Sequence, residues 1–180
     1  PSSGRIRVLG HDPQREPERV REVLGVQLQE GQLPDRLRVG EALELFASLY
    51  RDSADPAALM DLLGLTEHRN QPYKKLSGGQ KQRLSIGLAL VGNPRIAVFD
   101  ELTTGLDPHA RRATWRLLEG VRARGVTVLL VTHFMEEAER LCDRVVVIDG
   151  GRVVALDTPK AIVAAAGAAN LDDAFLALTG

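Results

Sequence analysis

Residues Leu76–Asp107 read LSGGQKQRLSIGLALVGNPRIAVFDELTTGLD, and this stretch decides the fold. It holds three pieces: a Ser-Gly-Gly-Gln turn that opens a helix, an apolar strand that ends in two carboxylates, and a Gly-Leu-Asp-Pro turn into a further helix. In the first piece, Ser77 followed three residues later by Gln80 has capping-box spacing, which predicts a helix from there to about Leu90. Gly78 and Gly79 fall in its first turn, where helix propensity disfavours them. Without side chains they leave the first-turn N–H groups bare, open to an anion at the positive end of the helix dipole. Taken alone, the same four residues are equally an ordinary capped helix start.

The second piece, Arg95-Ile96-Ala97-Val98-Phe99, follows Asn93-Pro94 and predicts a short buried strand. It ends in Asp100-Glu101, at the carboxyl edge where open α/β sheets take ligands. Successive strand residues point to opposite sides, so the two acids would have different jobs. An Asp at that edge can hold Mg²⁺, which favours oxygen ligands, and a Glu can orient a water or accept its proton. The plain alternative is a strand end with two solvated acids. In the third piece Asp107 is placed as N-cap and Pro108 as the first residue of a helix to about Arg124, closed by Gly125.

The order and spacing of LSGGQ, a strand ending in Asp100-Glu101, GLDP, and a later strand ending in Thr132-His133 resemble the nucleotide-binding domain of ABC transporters. The resemblance extends over nearly the whole chain. It implies an α/β, P-loop NTPase (ABC ATPase) fold, with a partial, mostly parallel sheet and an inserted helical subdomain. Expected boundaries are a helical subdomain at about 30–92, a catalytic core at 1–29 and 93–157, and a C-terminal helical segment at 158–180.

By position, the resemblance assigns Asp100 to Mg²⁺, Glu101 to the general base, and His133 to the switch histidine that hydrogen-bonds the γ-phosphate. Gln29 takes the place of the strand-end glutamine that meets Mg²⁺ and the attacking water, and fits it better than Gln27. Ser77, Gly78, Gly79 and Gln80 become the signature turn that contacts ATP bound to a second copy, and Asp107 is assigned to nucleotide binding with them. The implied partners are a transmembrane permease and a second ABC domain, as a homodimer or a pair. The implied location is cytoplasmic, peripheral on the inner face of the plasma membrane. Many family members carry Pro after the two acids, where this chain has Leu102.

Working outward, the 180 residues predict one domain. A composition 44% hydrophobic and 26% charged suits a globular chain. Its 23 basic and 24 acidic residues leave a net charge of −1, which suggests no nucleic-acid partner. The single cysteine, Cys142, excludes an internal disulfide and fits a reducing compartment. The alanine-rich run Ala161–Ala169 is too short to cross a bilayer.

Arg5–Leu9 predicts a short strand followed by a turn at His11-Asp12-Pro13, and Pro17–Glu22 a helical turn. Leu24–Leu28 predicts the next strand. Val39–Tyr50 places Val39, Ala42, Leu43, Leu45, Phe46, Leu49 and Tyr50 at helical spacing, an apolar stripe most simply read as core, and Asp55-Pro56 starts a helix that stops at Gly64. Val126–Val131 is near-continuously apolar, as in a parallel sheet buried on both faces. Met135–Cys142 predicts a helix with Glu136 and Glu137 complementing its dipole. Asp149-Gly150-Gly151 signals a hairpin, and Thr158-Pro159 a last helix. The ending Asn170–Gly180 resembles a segment of ABC ATPases of drug and polyketide exporters.

The sequence contains no Gly-Lys pair, and hence no G-x-x-x-x-G-K-[ST] phosphate loop. By the resemblance that loop lies upstream of a stretch like Pro1–Gly10, so the expectation is a piece of a longer ATPase. The ATPase would be coupled to an exporter, and the piece alone would be inactive. Two other functions stay open: a soluble ABC ATPase of translation or DNA repair, and a degenerate or regulatory ABC module without turnover. The first usually carries tandem domains or coiled-coil insertions that are not visible in this sequence. Intact acids, histidine and signature argue against decay in the second.

Overall fold

A computed structural model of the chain describes residues 3–27 and 32–180. They form two compact units, Pro1–Leu129 and Leu130–Gly180.

In the first unit, helix α1 (Pro17–Val23) leads directly into strand β1 (Leu24–Gln27). Helices α2 (Val39–Ala47), α3 (Pro56–Leu62) and α4 (Gly78–Leu90) follow, then strand β2 (Ile96–Asp100) and helix α5 (Pro108–Ala123). Strand β3 (Thr127–Val131) begins at the unit's end. The sheet order is β1-β2-β3, and β1 runs parallel to β2 with Leu24 opposite Ile96 and Gln27 opposite Phe99.

Local chemistry sets most of these boundaries. Pro17, Pro56 and Pro108 each open a helix, where a missing N–H costs nothing. Asp55 caps α3 by accepting from the Ala57 N–H at 3.1 Å, and Gly64, with φ of 60°, ends it. Helix α4 packs on β1 and β2 and against α2. A side chain at Gly25 would place its Cβ 1.9 Å from the Ala89 carbonyl oxygen, and one at Gly87 would meet Leu63 Cδ1 at 2.4 Å. These glycines let α4 lie close over the sheet and its neighbouring helices. The core beneath includes Leu43, Leu63, Leu84, Ile86, Phe99, Leu102 and Leu118, each essentially inaccessible to solvent. Each such side chain contributes about 1.5–3 kcal/mol through burial.

Three expectations fail in this unit. Arg5–Leu9 makes no strand. The chain reverses one step earlier, at Leu9 (φ 50°) and Gly10 (φ 89°), and Val8 pairs with His11 through N–H···O bonds of 2.9 and 3.0 Å. Leu45 and Leu49 share the helical apolar spacing yet are exposed, since only the face carrying Val39, Ala42, Leu43 and Ala47 turns inward. Strand β3 is not buried on both faces. It stands at the margin of the sheet, whereas α4 covers β1 and β2, and Leu129 and Val131 are exposed.

The second unit holds helix α6 (Met135–Leu141), strands β4 (Val145–Asp149) and β5 (Arg152–Asp157), and helices α7 (Pro159–Ala166) and α8 (Leu171–Thr179). The β4–β5 hairpin turns through Gly150 (φ 51°) and Gly151 (φ 74°), the conformation a two-residue hairpin loop requires. Thr158 and Asn170 cap α7 and α8 from their side chains, at 3.2 and 2.8 Å. Ala138, Val147, Ile162, Leu171 and Ala174 form the core of the unit. Glu136 is exposed near the start of α6, as a dipole-complementing acid should be, but Glu137 is fully buried. Among the described residues, no single helix is long and apolar enough to cross a membrane.

Candidate functional site

The Ser77–Gln80 turn is built as its spacing predicts. The Gln80 N–H donates to Ser77 Oγ at 3.3 Å, and the Ser77 N–H donates to Gln80 Oε1 at 2.8 Å. Both ends of the box are therefore satisfied. A Cβ added at Gly78 would meet nothing within 4 Å, so this face of the helix tip is open. At Gly79 a Cβ would lie 3.3 Å from that of Ala110, in the first turn of α5. The starts of α4 and α5 thus touch. Asp107 caps α5, accepting from His109 N at 2.9 Å and Ala110 N at 3.0 Å. The Ala110 N–H, with help from that of His109, holds the Asp107 carboxyl below its ordinary 3.8 against a smaller opposing effect of desolvation.

The two acids sit where β2 gives way to the turn before α5. Asp100 is the last strand residue, and its N–H donates to the side-chain Oε1 of nearly buried Gln27 at 3.3 Å. Glu101 leaves the strand in the left-handed region, with φ of 47°. Its carbonyl accepts from Thr104 N at 3.2 Å, and Leu102 and Thr103 beyond it are fully buried. This anchors a non-glycine residue in a backbone conformation that ordinarily costs energy, a feature that concentrates at functional sites.

The donor chemistry of this edge fits Mg²⁺. Asp100 offers a hard carboxylate, half-buried, whose backbone Gln27 holds. No group of three or more His, Cys, Asp or Glu side chains that could hold a metal occurs among the described residues. A strand-end carboxylate is the hard oxygen donor that Mg²⁺ takes, whereas zinc favours nitrogen and sulfur ligands.

His133 belongs to the second unit, at the end of β3, with its ring tilted against Phe134 at 4.1 Å between centroids. Gln29, the expected strand-end glutamine, lies outside the described residues. Gln27 is a contact of the acid edge that the resemblance passed over. Two further residues went unnoticed in the sequence. Arg83 Nη1 donates to the carbonyls of Leu63 (3.0 Å) and Gly64 (3.3 Å), and its Nε donates to that of Gly79 (3.4 Å). It thereby ties the end of α3 to the first turn of α4. His68 reaches Gln80. Neither contact has a local sequence pattern: Arg83 meets backbone carbonyls and His68 meets a residue twelve positions away.

The sequence profile of the ABC transporter family matches residues 1–104, more than half of the chain. The chain belongs to the ABC transporter family. Among this ABC chain's curated relatives, the Nod factor export ATP-binding protein I of Rhizobium etli is 39% identical over 168 residues, covering 91% of this chain and 53% of that protein. The protein of the same name from Burkholderia orbicola is 40% identical over 168 residues, covering 91% of this chain and 55% of its own. A solved ATP binding subunit of an ABC transporter matches with a TM-score of 0.84 and 29% identity, over 99% of this chain and 77% of that one. The chain thus spans about half the length of the curated relatives it matches. Its α/β architecture, with β1 parallel to β2, is the P-loop NTPase fold of ABC ATP-binding subunits.

Proposed function

We propose that this chain is the nucleotide-binding part of an ABC exporter ATPase, in which two copies close head to tail on ATP. The observation that carries the reading is the signature turn. It is a fully satisfied capping box with an open Gly78 face, set on a helix apart from the strand that bears Asp100 and Glu101. An open helix tip suits phosphate oxygens, and the strand-end acids suit a cation and a water.

In this reading Glu101 orients a water and takes its proton as the water oxygen bonds to the γ-phosphorus. The bond from that phosphorus to the bridging oxygen then breaks, and ADP leaves with the electron pair. Asp100 and Gln29 would hold Mg²⁺, which when bound offsets phosphate charge. His133 donates to the γ-phosphate. Ser77, Gly78, Gly79 and Gln80 of the opposite copy would bind the same triphosphate, and Asp107, which caps the adjoining helix, would contribute to nucleotide binding. The catalysis is largely positioning and charge stabilisation. The helical segment of about 30–92 would carry the signature, while 1–29 and 93–157 carry the core and 158–180 a helical tail.

The export direction draws on the relatives, which are Nod factor export ATP-binding proteins. A transmembrane permease would be the coupled partner, with the ATPase peripheral on the cytoplasmic face of the plasma membrane. Since the 180 residues contain no Gly-Lys pair, the lysine and amide cradle for the β- and γ-phosphates must come from elsewhere, and these residues alone should not turn ATP over. The test is Glu101→Gln in the complete gene product. Turnover should be lost while ATP binding persists; unchanged turnover would refute the assignment.

A further inference from the structure

Five groups around the signature turn form one continuous hydrogen-bond chain. The Ser77 N–H meets Gln80 Oε1 at 2.8 Å, Gln80 Nε2 meets His68 Nε2 at 2.9 Å, His68 Nδ1 meets Gln71 Oε1 at 2.9 Å, and Gln71 Nε2 meets the Lys75 carbonyl oxygen at 2.7 Å. Both ends are backbone, and that fixes every proton between them. A backbone N–H can only donate, so Gln80 must present its oxygen to Ser77 and its NH₂ to His68. His68 Nε2 must then accept, which puts the ring proton on Nδ1, facing Gln71 Oε1. Gln71 in turn points its NH₂ at the Lys75 carbonyl, which can only accept. One N–H of each glutamine amide, together with the His68 ring N–H and the Ser77 N–H, thereby finds an acceptor.

The two backbone ends, Lys75 O and Ser77 N, flank Leu76, the residue that leads into the signature helix. The relay therefore clamps the chain on both sides of that entry, while Gln80 closes the capping box. His68 comes from the short 3-10 turn Thr66–His68 and is half-buried. We propose that His68 is a positioning residue for the signature turn: as the neutral Nδ1–H tautomer it orients the Gln80 amide so that the box at Ser77 forms. It touches no nucleotide and acts through Gln80. Its effect on turnover rests on the ATPase reading above, whereas its effect on the turn does not.

The test has three parts. In the ¹⁵N-labelled complete gene product near neutral pH, long-range ¹H–¹⁵N spectra should show His68 protonated at Nδ1 and bare at Nε2; the opposite tautomer would overturn the relay. His68→Lys can only donate, so it should expose the Ser77 N–H. Its hydrogen exchange should quicken about threefold to tenfold, the loss of one ordinary hydrogen bond. His68→Gln, which again offers an acceptor and a donor, should restore most of the protection. Equal exchange in both variants would overturn the relay even if either one loses stability elsewhere. In the complete gene product, His68→Lys should lower kcat by a similar factor with little change in KM for ATP, and His68→Gln should rescue it. Faster exchange at Ser77 with kcat unmoved would overturn the positioning role. Absence of turnover in the wild-type gene product would instead strike the ATPase reading and leave the exchange result standing.

Discussion

Gly79 lies against Ala110, with the glycine's Cβ position only 3.3 Å from the alanine methyl, so the helix that bears the signature and the helix that follows the acids start side by side. A change at either start is therefore felt at the other. Gly79→Ala should press the two tips apart by a few tenths of an ångström and lower turnover of the complete gene product. Gly78→Ala, which adds a methyl in open space, should leave stability nearly unchanged while still obstructing an incoming phosphate. Thermal denaturation and ATPase rates on the two variants separate these effects.

Ser77→Ala removes the acceptor for the Gln80 N–H. The expected loss is about 1 kcal/mol of stability, the usual value of an N-cap side chain. Ser77→Asp should recover much of the cap, yet place a negative charge where the triphosphate is proposed to bind. Denaturant midpoints should thus rank wild type near Asp and above Ala, whereas turnover should be lowest for Asp.

Close approach of backbones is less forgiving than an open tip. Gly25→Ala would force a methyl into the Ala89 carbonyl, and Gly87→Ala into the flexible end of Leu63. Overpacking of the second kind costs about 1–3 kcal/mol. The first should cost more, because a helix carbonyl cannot rotate aside. Urea unfolding of both variants tests the order.

Asp107 supplies a pH dependence with a definite sign. Its folded carboxyl titrates below the ordinary 3.8, chiefly because the Ala110 N–H donates to the ionised form. The stabilisation is present above 3.8 and disappears as pH falls through the lowered folded value. Asp107→Asn keeps an N-cap acceptor but has no charge to lose. The wild-type advantage over the variant should therefore shrink on acidification below about pH 4 and stay flat above it. Stability measured against pH for both proteins gives the answer.

Glu101 occupies the left-handed region that glycine tolerates best. Glu101→Gly should be more stable than Glu101→Ala by about 1 kcal/mol, although both lose the carboxylate and hence turnover. Equal stability of the two would mean that the turn at Glu101 relaxes once its side chain is removed.

What could be read from the sequence was what neighbours in sequence decide. The Ser77–Gln80 box, the Asp107 cap, the Gly150-Gly151 hairpin and the Pro-led helix starts all depend on residues a few positions apart, and each formed as expected. Hydrophobic runs were a weaker guide, because exposure depends on what covers a face. Leu129 and Val131 look like core but lie at a sheet margin, and Leu45 and Leu49 keep helical spacing on the wrong side of α2. Arg5–Leu9 has strand-forming residues, but the left-handed pair Leu9-Gly10 turns the chain back before a strand can extend. Contacts such as Gln27 to Asp100, Arg83 to Leu63 and His68 to Gln80 join residues far apart in sequence by single hydrogen bonds. No periodicity encodes those.

The central claim is that acids from one copy and the signature turn from another act on the same ATP. Mixing two inactive forms of the complete gene product, Glu101→Gln and Gly78→Asp, tests it most directly. In a head-to-tail pair of unlike copies, one site combines intact acids with an intact signature, so turnover should appear on mixing and peak near equal proportions. If the two elements instead serve ATP within one copy, every site in the mixture is defective, and no turnover at any ratio would contradict the account.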